Sequence, residues 1–470
     1  MSIKNTDAAA PPVTGPDGSE VEKSLGWKLN SMFGIQHILI MYVGCVAVPL
    51  AFGAAMQLDD HTVAMLINAD LFVAGIITFL QSIGFGKISG ARLPIIGGAT
   101  FVQVATMISI GQQYGLPAVY GSMLAGGAIG MLLAWPFSRI LKFFPPMVTG
   151  SVLLVLGVSL VSVATELVTG KKTGADGSAN PDFGEPRNIA VAGVVVILAI
   201  VISALGKGLL SKAALFISMI LGVLLCIPLG MVDFSGVGDE KIFGMITPFH
   251  FGAPEFPPMG VISMAIIMAV IFAETIASLS ALSEITGKQL SKGDVARGLS
   301  VDGFSGVLGG VMNGFMDTVF NQNVGAVKTT RVYSRYATGT AGIFLIVLGL
   351  MPVTGAVIAA LPDPVVGGVG MVLFGSIAVV GVGTLKKVST GDTINSSIMA
   401  LAIGLGLMNK FAPGMWDAFP EWTHSVLSDG VVLTAASALI LNLVFNHTSI
   451  ADRARANRRE DKPVQYSAFL

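Results

Sequence analysis

Two polar features stand out in a chain that is otherwise strongly apolar. Glu274 lies in the middle of an apolar stretch that runs from residue 260 to 282. Gln322 and Asn323 open the polar segment QNVGAVKTTR, which ends at Arg331. A charged side chain at the centre of a membrane helix costs about 2.5–3.5 kcal/mol on insertion scales, and buried amides also need partners. Polar residues in such places therefore indicate a transport pathway or a ligand site.

The chemistry available to these groups is hydrogen bonding to a small planar molecule. A carboxylate accepts hydrogen bonds from ring N–H groups, and a glutamine amide both donates and accepts. An aromatic side chain such as Phe101 can stack on a ring. Neutral or weakly acidic heterocycles fit this combination better than sugars or inorganic ions. A buried acid can also stay protonated, so Glu274 is a candidate handle for a proton as well as for a ligand.

The composition is that of an all-α polytopic membrane protein. Of the 470 residues, 53% are hydrophobic and 12% are charged, and the mean hydropathy is +0.78. A spanning helix needs about 20 mostly apolar residues. The clear candidates for such spans are residues 33–56, 64–85, 148–167, 189–205, 214–232, 260–282, 341–361, 365–385, 396–411 and 430–445.

Charge and cysteine content argue against several other classes of protein. The net charge is −1 and the isoelectric point is about 6.5, so no basic surface for nucleic acid is expected. Cys45 and Cys226 fall in apolar stretches, as buried cysteines do, and the sequence has neither a disulfide framework nor metal-ligand spacing. No nucleophile–base pair of an enzyme is visible. We expect no metal, no cofactor and no enzymatic activity.

The distribution of lysine and arginine predicts the orientation of the spans. Short loops that carry these residues are usually cytoplasmic. In a count of fourteen spans with the N-terminus inside, the cationic loops all fall on the cytoplasmic side: Lys87 and Arg92, Arg139 and Lys142, Lys207 and Lys212, Lys288 with Lys292 and Arg297, and Lys386 with Lys387. The exception is the loop with Lys171, Lys172 and Arg187, where acids offset the cations.

The two ends of the chain are polar and are predicted to be cytoplasmic tails. Residues 1–26 contain several prolines and glycines and no apolar segment of a signal peptide, so we expect a disordered tail. Residues 448–470 carry four arginines, at positions 453, 455, 458 and 459. Both tails therefore agree with a protein of the inner or plasma membrane whose termini face the cytoplasm.

Fourteen spans with both ends on one side divide into two halves of seven with opposite orientations, which is the pattern of an inverted repeat. Both halves contain a short, irregular segment. Residues 92–105 include Pro94, Gly97 and Gly98, and residues 315–331 are short and polar. Each segment is predicted to be a half-helix preceded by extended backbone, as span three and span ten. Paired broken spans of this kind indicate a binding site, because freed amides and helix N-termini face a midplane cavity.

Further polar residues within the spans have roles that the sequence leaves open. Ser278 shares a helical face with the buried acid. Asp302 lies among glycines at the expected start of span nine, where it could serve function or cap the helix. His37 could serve function or bond to a neighbouring backbone. Asp70 is interpreted as a packing residue, and Asp317 has no assigned role.

Several motifs resemble those of the nucleobase-ascorbate transporter family, also called nucleobase cation symporter-2. The similar segments are IQHILIMYVG around His37, RLPIIGGATF, VTGSV, FAETI around Glu274 and QNVGAVKTTR. The last segment fits the family signature of an amide or acid, an Asn, a gap, a Gly, four residues, a Thr and a basic residue. The resemblance covers nearly the whole chain.

The resemblance implies an architecture with two domains and an elevator-like motion. A core domain would comprise spans one to four and eight to eleven, here residues 27–145 and 256–361. A gate domain would comprise spans five to seven and twelve to fourteen, here residues 146–255 and 362–447. Members are typically homodimers.

The resemblance also implies roles for site residues. Glu274 and Gln322 would bind the base directly, and Phe101 would stack on it beside the backbone amides of Ala99 and Asn321. Thr100 and Ser278 would lie at the same site, while His37, Asp302 and Asn323 would be supporting or proton-linked groups.

The sequence departs from the family pattern at two places. Ser278 occupies a position that is often Asp in xanthine carriers, His in uracil carriers and apolar in a urate carrier. Met316 and Asp317 stand where relatives commonly have Pro and an uncharged or His residue. A Gln rather than a Glu at position 322 resembles the purine-type members of the family. The segment around Thr100 is most similar to that of the bacterial urate transporters.

The expected function is therefore proton-coupled import of urate or xanthine, since bacterial members are similar in using proton symport. One alternative is a carrier of uracil or another pyrimidine on the same fold. Another is an anion exchanger or channel of the same architecture, which would favour a cationic site and lack an acid such as Glu274 in the pocket.

Overall fold

The computed structural model describes residues 18–86, 88–140, 145–170, 172, 180–388, 393–412, 414–420 and 423–447. This part of the chain is almost entirely helical. The helices are α1 (Trp27–Met56), α2 (Asp60–Ile83), α3 (Val104–Tyr114), α4 (Leu116–Ile140), α5 (Pro146–Thr169), α6 (Pro186–Leu205), α7 (Leu209–Lys212), α8 (Ala214–Cys226), α9 (Pro258–Thr286), α10 (Lys292–Met312), α11 (Asn321–Thr330), α12 (Arg335–Gly349), α13 (Pro352–Ala359), α14 (Asp363–Leu385), α15 (Thr393–Phe411), α16 (His424–Leu427) and α17 (Gly430–His447).

Two short strands interrupt the helices where the sequence predicts extended backbone. Strand β1 (Gly97–Ala99) precedes α3, and strand β2 (Asp317–Val319) precedes α11. The strands pair antiparallel, with Gly98 opposite Thr318. Gly98 in β1 leaves room for neighbouring side chains, because a Cβ there would lie 2.8 Å from both Met41 Cε and Phe320 Cε2. The prediction of two half-helices preceded by extended segments is confirmed.

Most of the long helices are suited to a bilayer. Within the described residues, nine helices are long and apolar enough to cross a membrane, or ten if the bent pair α12 and α13 counts as one span. The prediction of a mainly helical polytopic membrane protein is confirmed, whereas the count of fourteen spans stays a prediction. The predicted orientation of the spans depends partly on cations that lie outside the described residues, namely Lys87, Lys142, Lys171 and the C-terminal arginines.

Two predicted spans differ from the helices that form. The stretch 341–361 was expected to be one continuous helix, but α12 and α13 meet at an angle of 79°. Pro352 begins α13, and proline cannot continue a preceding helix because it lacks an N–H group and its ring clashes with the previous turn. Helix α8 ends at Cys226 and not at residue 232, because Pro228 follows two residues later.

The prediction that residues 1–26 are disordered is wrong for residues 18–26. Ser19–Glu22 form a 3-10 turn, and Val21 is fully buried. Glu22 accepts hydrogen bonds from Lys288 Nζ at 2.9 Å and from Arg335 Nε at 2.7 Å. Burial raises the pKa of Glu22, but these two cations outweigh burial and hold the pKa below its usual range. Ion pairing to distant loops orders a segment whose composition alone suggested disorder; residues 1–17 lie outside the described residues.

The helices pack in pairs that are distant in sequence. Helix α2 packs on α12, α4 packs on α10 and α9, and α5 packs on α14. Helix α15 lies against α17, and α6 lies against α8. Strand β1 is held against α2, where Thr78 Oγ1 accepts a hydrogen bond from Gly97 N at 2.9 Å. The paired strands are therefore supported from behind by continuous helices.

Glycines allow α4 and α10 to approach closely, as the sequence predicts for the glycine-rich span nine. A Cβ on Gly127 would lie 2.5 Å from Val307 N and 2.7 Å from Gly303 O. A Cβ on Gly306 would lie 2.8 Å from the Gly127 Cα atom. Small residues that bring backbones together are a common means of helix association in membranes.

Replacing Gly127 by Ala is therefore expected to lower the free energy of unfolding by about 1–3 kcal/mol, because the new methyl group overlaps backbone atoms of α10. Gly193→Ala is the matched control, since nothing lies within 4 Å of a Cβ on Gly193 in α6. The measurement is thermal unfolding of both purified variants in the same detergent. Equal unfolding midpoints would contradict close packing of α4 on α10.

Candidate functional site

A cavity of about 370 Å³ lies where the two strands and the starts of α3 and α11 meet α5, α9 and α14. It contains six of the seven residues that the sequence assigns to ligand binding. Its lining residues are Ala99, Thr100, Phe101, Val102, Leu153, Leu156, Glu274, Thr318, Val319, Phe320, Asn321, Gln322, Leu373, Ser376, Ile377 and Val380. The structure thus brings together parts of the chain that are more than 200 residues apart.

The strand–helix junctions place backbone and amide groups at the cavity. Thr100 follows β1 and accepts a hydrogen bond from Val102 N at 3.2 Å, which caps the 3-10 turn before α3. Helix α11 follows Phe320, and no side chain caps its first turn. The first N–H groups of a helix have no partner within the helix and carry the positive end of its dipole. The start of α11 therefore offers donors to a ligand with carbonyl or anionic oxygens.

Glu274 provides the acid of the cavity. The residue is half-buried on α9 and lines the cavity. Among the described residues, none donates a hydrogen bond to its carboxyl group, and no cation lies beside it. The backbone oxygen of Glu274 lies 3.0 Å from Ser278 Oγ. A carboxyl group in this position is available to a ligand donor or to a proton.

Gln322 and Asn321 provide the amides of the cavity, and both side chains are exposed to it. Asn321 Oδ1 lies 2.9 Å from Ser278 Oγ. The Ser278 hydroxyl has one hydrogen, so it donates either to Asn321 or to the Glu274 carbonyl at any moment. Ser278 is 2% exposed and lies outside the cavity lining. The structure therefore places Ser278 behind the site, where it orients Asn321, and not in contact with a ligand.

His37 and Asn323 form a buried pair beside the cavity. Asn323 Nδ2 lies 2.9 Å from the backbone oxygen of His37 and 3.0 Å from its ring Nδ1. Because the amide nitrogen is the donor in both contacts, we assign Nδ1 as an acceptor and the ring proton of a neutral His37 to Nε2. Neither side chain lines the cavity. The pair anchors α11 to α1.

Replacing Asn323 by Ala is expected to lower the free energy of unfolding by about 1–3 kcal/mol, because it removes two buried hydrogen bonds and leaves acceptors on His37 unpaired. Thr329→Ala is the matched control on the same helix, since Thr329 is exposed and bonds only within α11. Both variants are compared by thermal unfolding in detergent. If Asn323→Ala lowers the unfolding midpoint no more than Thr329→Ala does, the role of Asn323 in anchoring α11 to α1 is contradicted.

Asp302 lies at the centre of α10 and not at its start. The alternative that it caps the helix is wrong, because Ser291 and Asp294 form a capping box at the true N-terminus. Asp302 is 1% exposed, and its Oδ1 accepts a hydrogen bond from Gln81 Nε2 at 3.0 Å. Gln81 also donates to the backbone oxygen of Gly298 at 2.9 Å. Asp302 therefore ties α10 to α2, and it also interacts electrostatically with Glu274.

Helices α5 and α14 form one wall of the cavity, which the sequence does not predict. Leu156 on α5 and Ser376 on α14 line the cavity. Phe374 lies edge-on to Phe101, with ring centroids 5.2 Å apart and an interplanar angle of 77°. Nothing in the sequence distinguishes these positions from other apolar residues of the same helices. Thr318 was also missed, although its place beside Asp317 in a predicted extended segment could have indicated it.

A second, larger cavity of about 1080 Å³ lies beside α3, α5 and α15. It is lined by Gln112, Glu166, Asn409 and Asp429, and by none of the residues that the sequence assigns to the site. Thr106 Oγ1 donates a hydrogen bond to Asp429, which joins α3 to the start of α17. The smaller cavity, and not this one, holds the convergent acid and amides Glu274, Asn321 and Gln322.

The chain is similar to known transporters over most of its length. A sequence model described as "Permease family" matches residues 29–415. "Uric acid transporter UacT" of Escherichia coli (strain K12) is 36% identical over 445 residues, which are 94% of this chain and 91% of the relative. "Xanthine permease" of Bacillus subtilis (strain 168) is 34% identical over 428 residues, 91% of this chain and 96% of the relative.

The fold also matches a solved structure at low sequence identity. The murine Solute Carrier 26 family member A9 anion transporter, in the inward-facing state, aligns with a TM-score of 0.60 and 14% identity. The alignment covers 95% of this chain and 74% of that chain. At this identity the likeness concerns the fold alone.

Proposed function

Because the chain belongs to the nucleobase-ascorbate transporter family, we propose that it is a proton-coupled symporter that imports a purine base, urate or xanthine. The family assignment also makes it a transporter and not an enzyme. The observation that carries the proposal is the 370 Å³ cavity, in which Glu274 and Gln322 both face the interior with no hydrogen-bond partner among the described residues. Permease relatives named for uric acid and xanthine support a purine as the substrate.

The lining suits a planar base with donors and acceptors on its edge. Glu274 accepts hydrogen bonds from ring N–H groups, and Gln322 both donates to a carbonyl oxygen and accepts from an N–H group. The first amides of α11 donate to a second oxygen. Phe101 and the apolar side chains of α5 and α14 cover the faces of the ring. In this proposal Ala99, Thr100 and Asn321 complete the polar edge, and Ser278 acts through Asn321.

The charge of the site supports proton coupling. A carboxylate on Glu274 would have no described cation beside it, and moving a bare negative charge past an apolar barrier is costly. A proton on Glu274 removes that charge and lets the loaded site move. His37, Asp302 and Asn323 support the site by holding α10 and α11 in place.

The alternating-access mechanism proposed here is an elevator-like motion of a core domain against a gate domain. In this proposal, α3, α8, α10 and α11 are added to the ten candidate spans, which makes fourteen spans in two halves of seven. The packing of α2 on α12 and of α10 on α4 agrees with an inverted repeat, because span two corresponds to span nine and span eleven to span four. The cavity then lies between core residues 27–145 and 256–361 and gate residues 146–255 and 362–447.

Further parts of the proposal concern the setting of the protein. The positive-inside pattern supports the inner or plasma membrane with cytoplasmic termini. The resemblance supports a homodimer. No nucleic acid, metal or cofactor takes part in the proposed transport.

The deciding experiment is uptake of labelled urate by cells that express the chain, with a panel of unlabelled competitors and with an uncoupler. We expect competition by urate and xanthine, little by uracil, and loss of accumulation in the uncoupler. Competition by uracil alone would favour a pyrimidine carrier. Transport of chloride or sulfate that needs no proton gradient would favour an anion exchanger.

A further inference from the structure

Asp317 is a buried acid with no hydrogen-bond donor. Its side chain is 0% exposed, and neither carboxyl oxygen has a hydrogen-bond partner among the described residues. Its backbone is held firmly, since Asp317 N donates to Ser305 Oγ at 2.8 Å and the residue pairs with Ala99 across the strands. Successive side chains of a strand point to opposite faces. Asp317 does not line the cavity, and β2 packs against α2, α9 and α10.

Asp70 is a second buried acid near Asp317, on the helix α2 that contacts β2. It lies on α2, is 0% exposed and interacts electrostatically with Asp317. One carboxyl oxygen, Oδ2, accepts a hydrogen bond from Cys45 Sγ at 2.9 Å. The other, Oδ1, has no partner among the described residues. Two acids therefore present three unpartnered oxygens to the same buried region.

Among the described residues, no cation interacts with either acid. The titratable groups that interact with them are Cys45 on α1, Tyr120 on α4 and Asp302 on α10, and each of these is an acid, a phenol or a thiol. Two adjacent carboxylates without donors would be very unfavourable at membrane depth. One proton between them removes a charge and supplies the missing donor, as in carboxyl pairs that share a proton.

A proton fits this region better than a metal ion. No group of three or more His, Cys, Asp or Glu residues arranged to hold a metal is found in the part of the chain that the structure describes. We propose that Asp70 and Asp317 form a second proton-binding site, separate from Glu274, in which a protonated Asp317 donates to Asp70 and joins β2 to α2. This site goes beyond the proposed transport function and does not depend on the identity of the substrate.

The proton would act on the cavity through the strand. Asp317 is adjacent to Thr318, and Asp317 pairs with Ala99, and both neighbours line the cavity. Loss of the proton leaves two negative charges in the same buried region, and their repulsion pushes β2 away from α2. Since burial tolerates the pair better with the shared proton than without it, the folded state loses stability as rising pH removes the proton.

The test uses the purified full-length chain in detergent without substrate. Infrared spectroscopy follows the carbonyl band of protonated carboxyl groups across an alkaline titration, and thermal unfolding is measured over the same pH range. All variants carry Glu274→Gln, which removes the acid of the cavity from the signal. We expect the parent to lose a carboxyl band as pH rises, with a falling unfolding midpoint, and we expect Asp317→Asn to lack both changes.

Three further variants complete the test. If Asp317→Asn does not fold, Asp317→Leu is used in its place. It is also expected to lack the change in the carboxyl band and the change in the unfolding midpoint. Asp70→Asn should change the pH at which the band disappears. Asp182 is an exposed acid in a loop, so Asp182→Asn should leave the carboxyl band and the pH profile of unfolding unchanged. A folded Asp317 variant that keeps the parental band and pH profile would overturn the proposal, and so would an Asp70→Asn titration identical to that of the parent. Because no substrate is present, failure here leaves the transport proposal to be judged by uptake.

Discussion

Replacing Glu274 by Gln is expected to abolish proton-driven accumulation of urate or xanthine while leaving some binding of the base. The glutamine has nearly the same shape and can still accept one hydrogen bond, but it cannot gain or lose a proton. The variant therefore carries no coupled proton, and substrate should reach only the concentration that equilibration allows. The measurement is uptake into proteoliposomes with an inwardly directed proton gradient, together with substrate-induced thermal stabilisation as a readout of binding.

The matched control for this variant is Glu284→Gln. Glu284 lies on the same helix but is exposed and outside the cavity, so its replacement should leave accumulation at the level of the parent. Normal accumulation by Glu274→Gln at every external pH tested would show that the coupling proton binds elsewhere. Loss of both binding and accumulation would assign to Glu274 an essential role in holding the base.

Replacing Gln322 by Glu is expected to change the preference among bases, with the affinity for urate or xanthine lowered by about tenfold or more. The amide both donates and accepts, whereas a carboxylate only accepts, so a base oxygen that receives the amide N–H would be left unpaired. An unpaired buried polar group costs about 1–3 kcal/mol, and each 1.4 kcal/mol is a factor of ten in affinity. The measurement is the concentration of xanthine, urate and uracil needed to halve uptake of a labelled base.

Lys328→Gln is the control for the Gln322 variant. Lys328 lies in the last turn of α11, is exposed and does not line the cavity, so its replacement should leave the order of competitors unchanged. An unchanged order for Gln322→Glu as well would remove Gln322 from the set of base-binding residues. A changed order with normal proton coupling would separate recognition by Gln322 from coupling by Glu274.

Much of the site followed from local chemistry. Glu274 and Gln322 are conspicuous because polar side chains are rare and costly in apolar segments, and this holds whatever the rest of the fold does. The broken spans were also predictable, since Pro94, Gly97 and Gly98 together disfavour a regular helix. The structure confirms both strand–helix junctions, and it places both residues at one cavity.

Other positions were ambiguous because the same residue type serves different ends in different surroundings. Ser278 follows Glu274 at helical spacing, but it bonds behind the cavity to Asn321. The sequence, with glycines around Asp302, predicts a helix start there, whereas α10 begins at Lys292 with Ser291 as its N-cap. Residues 18–26 looked disordered by composition, although two distant cations hold Glu22.

The sequence by itself determined that the chain is a polytopic membrane protein, where its helices break, and which acid and amide are available for a ligand. Only the tertiary structure decided that Leu156 and Ser376 close the cavity, that Phe374 meets Phe101, and that Asp70 and Asp317 share one buried region. The reason is that an apolar residue in a membrane helix can face lipid, another helix or a cavity at similar cost. Which of these it faces depends on contacts between segments far apart in the chain, and no local pattern records them.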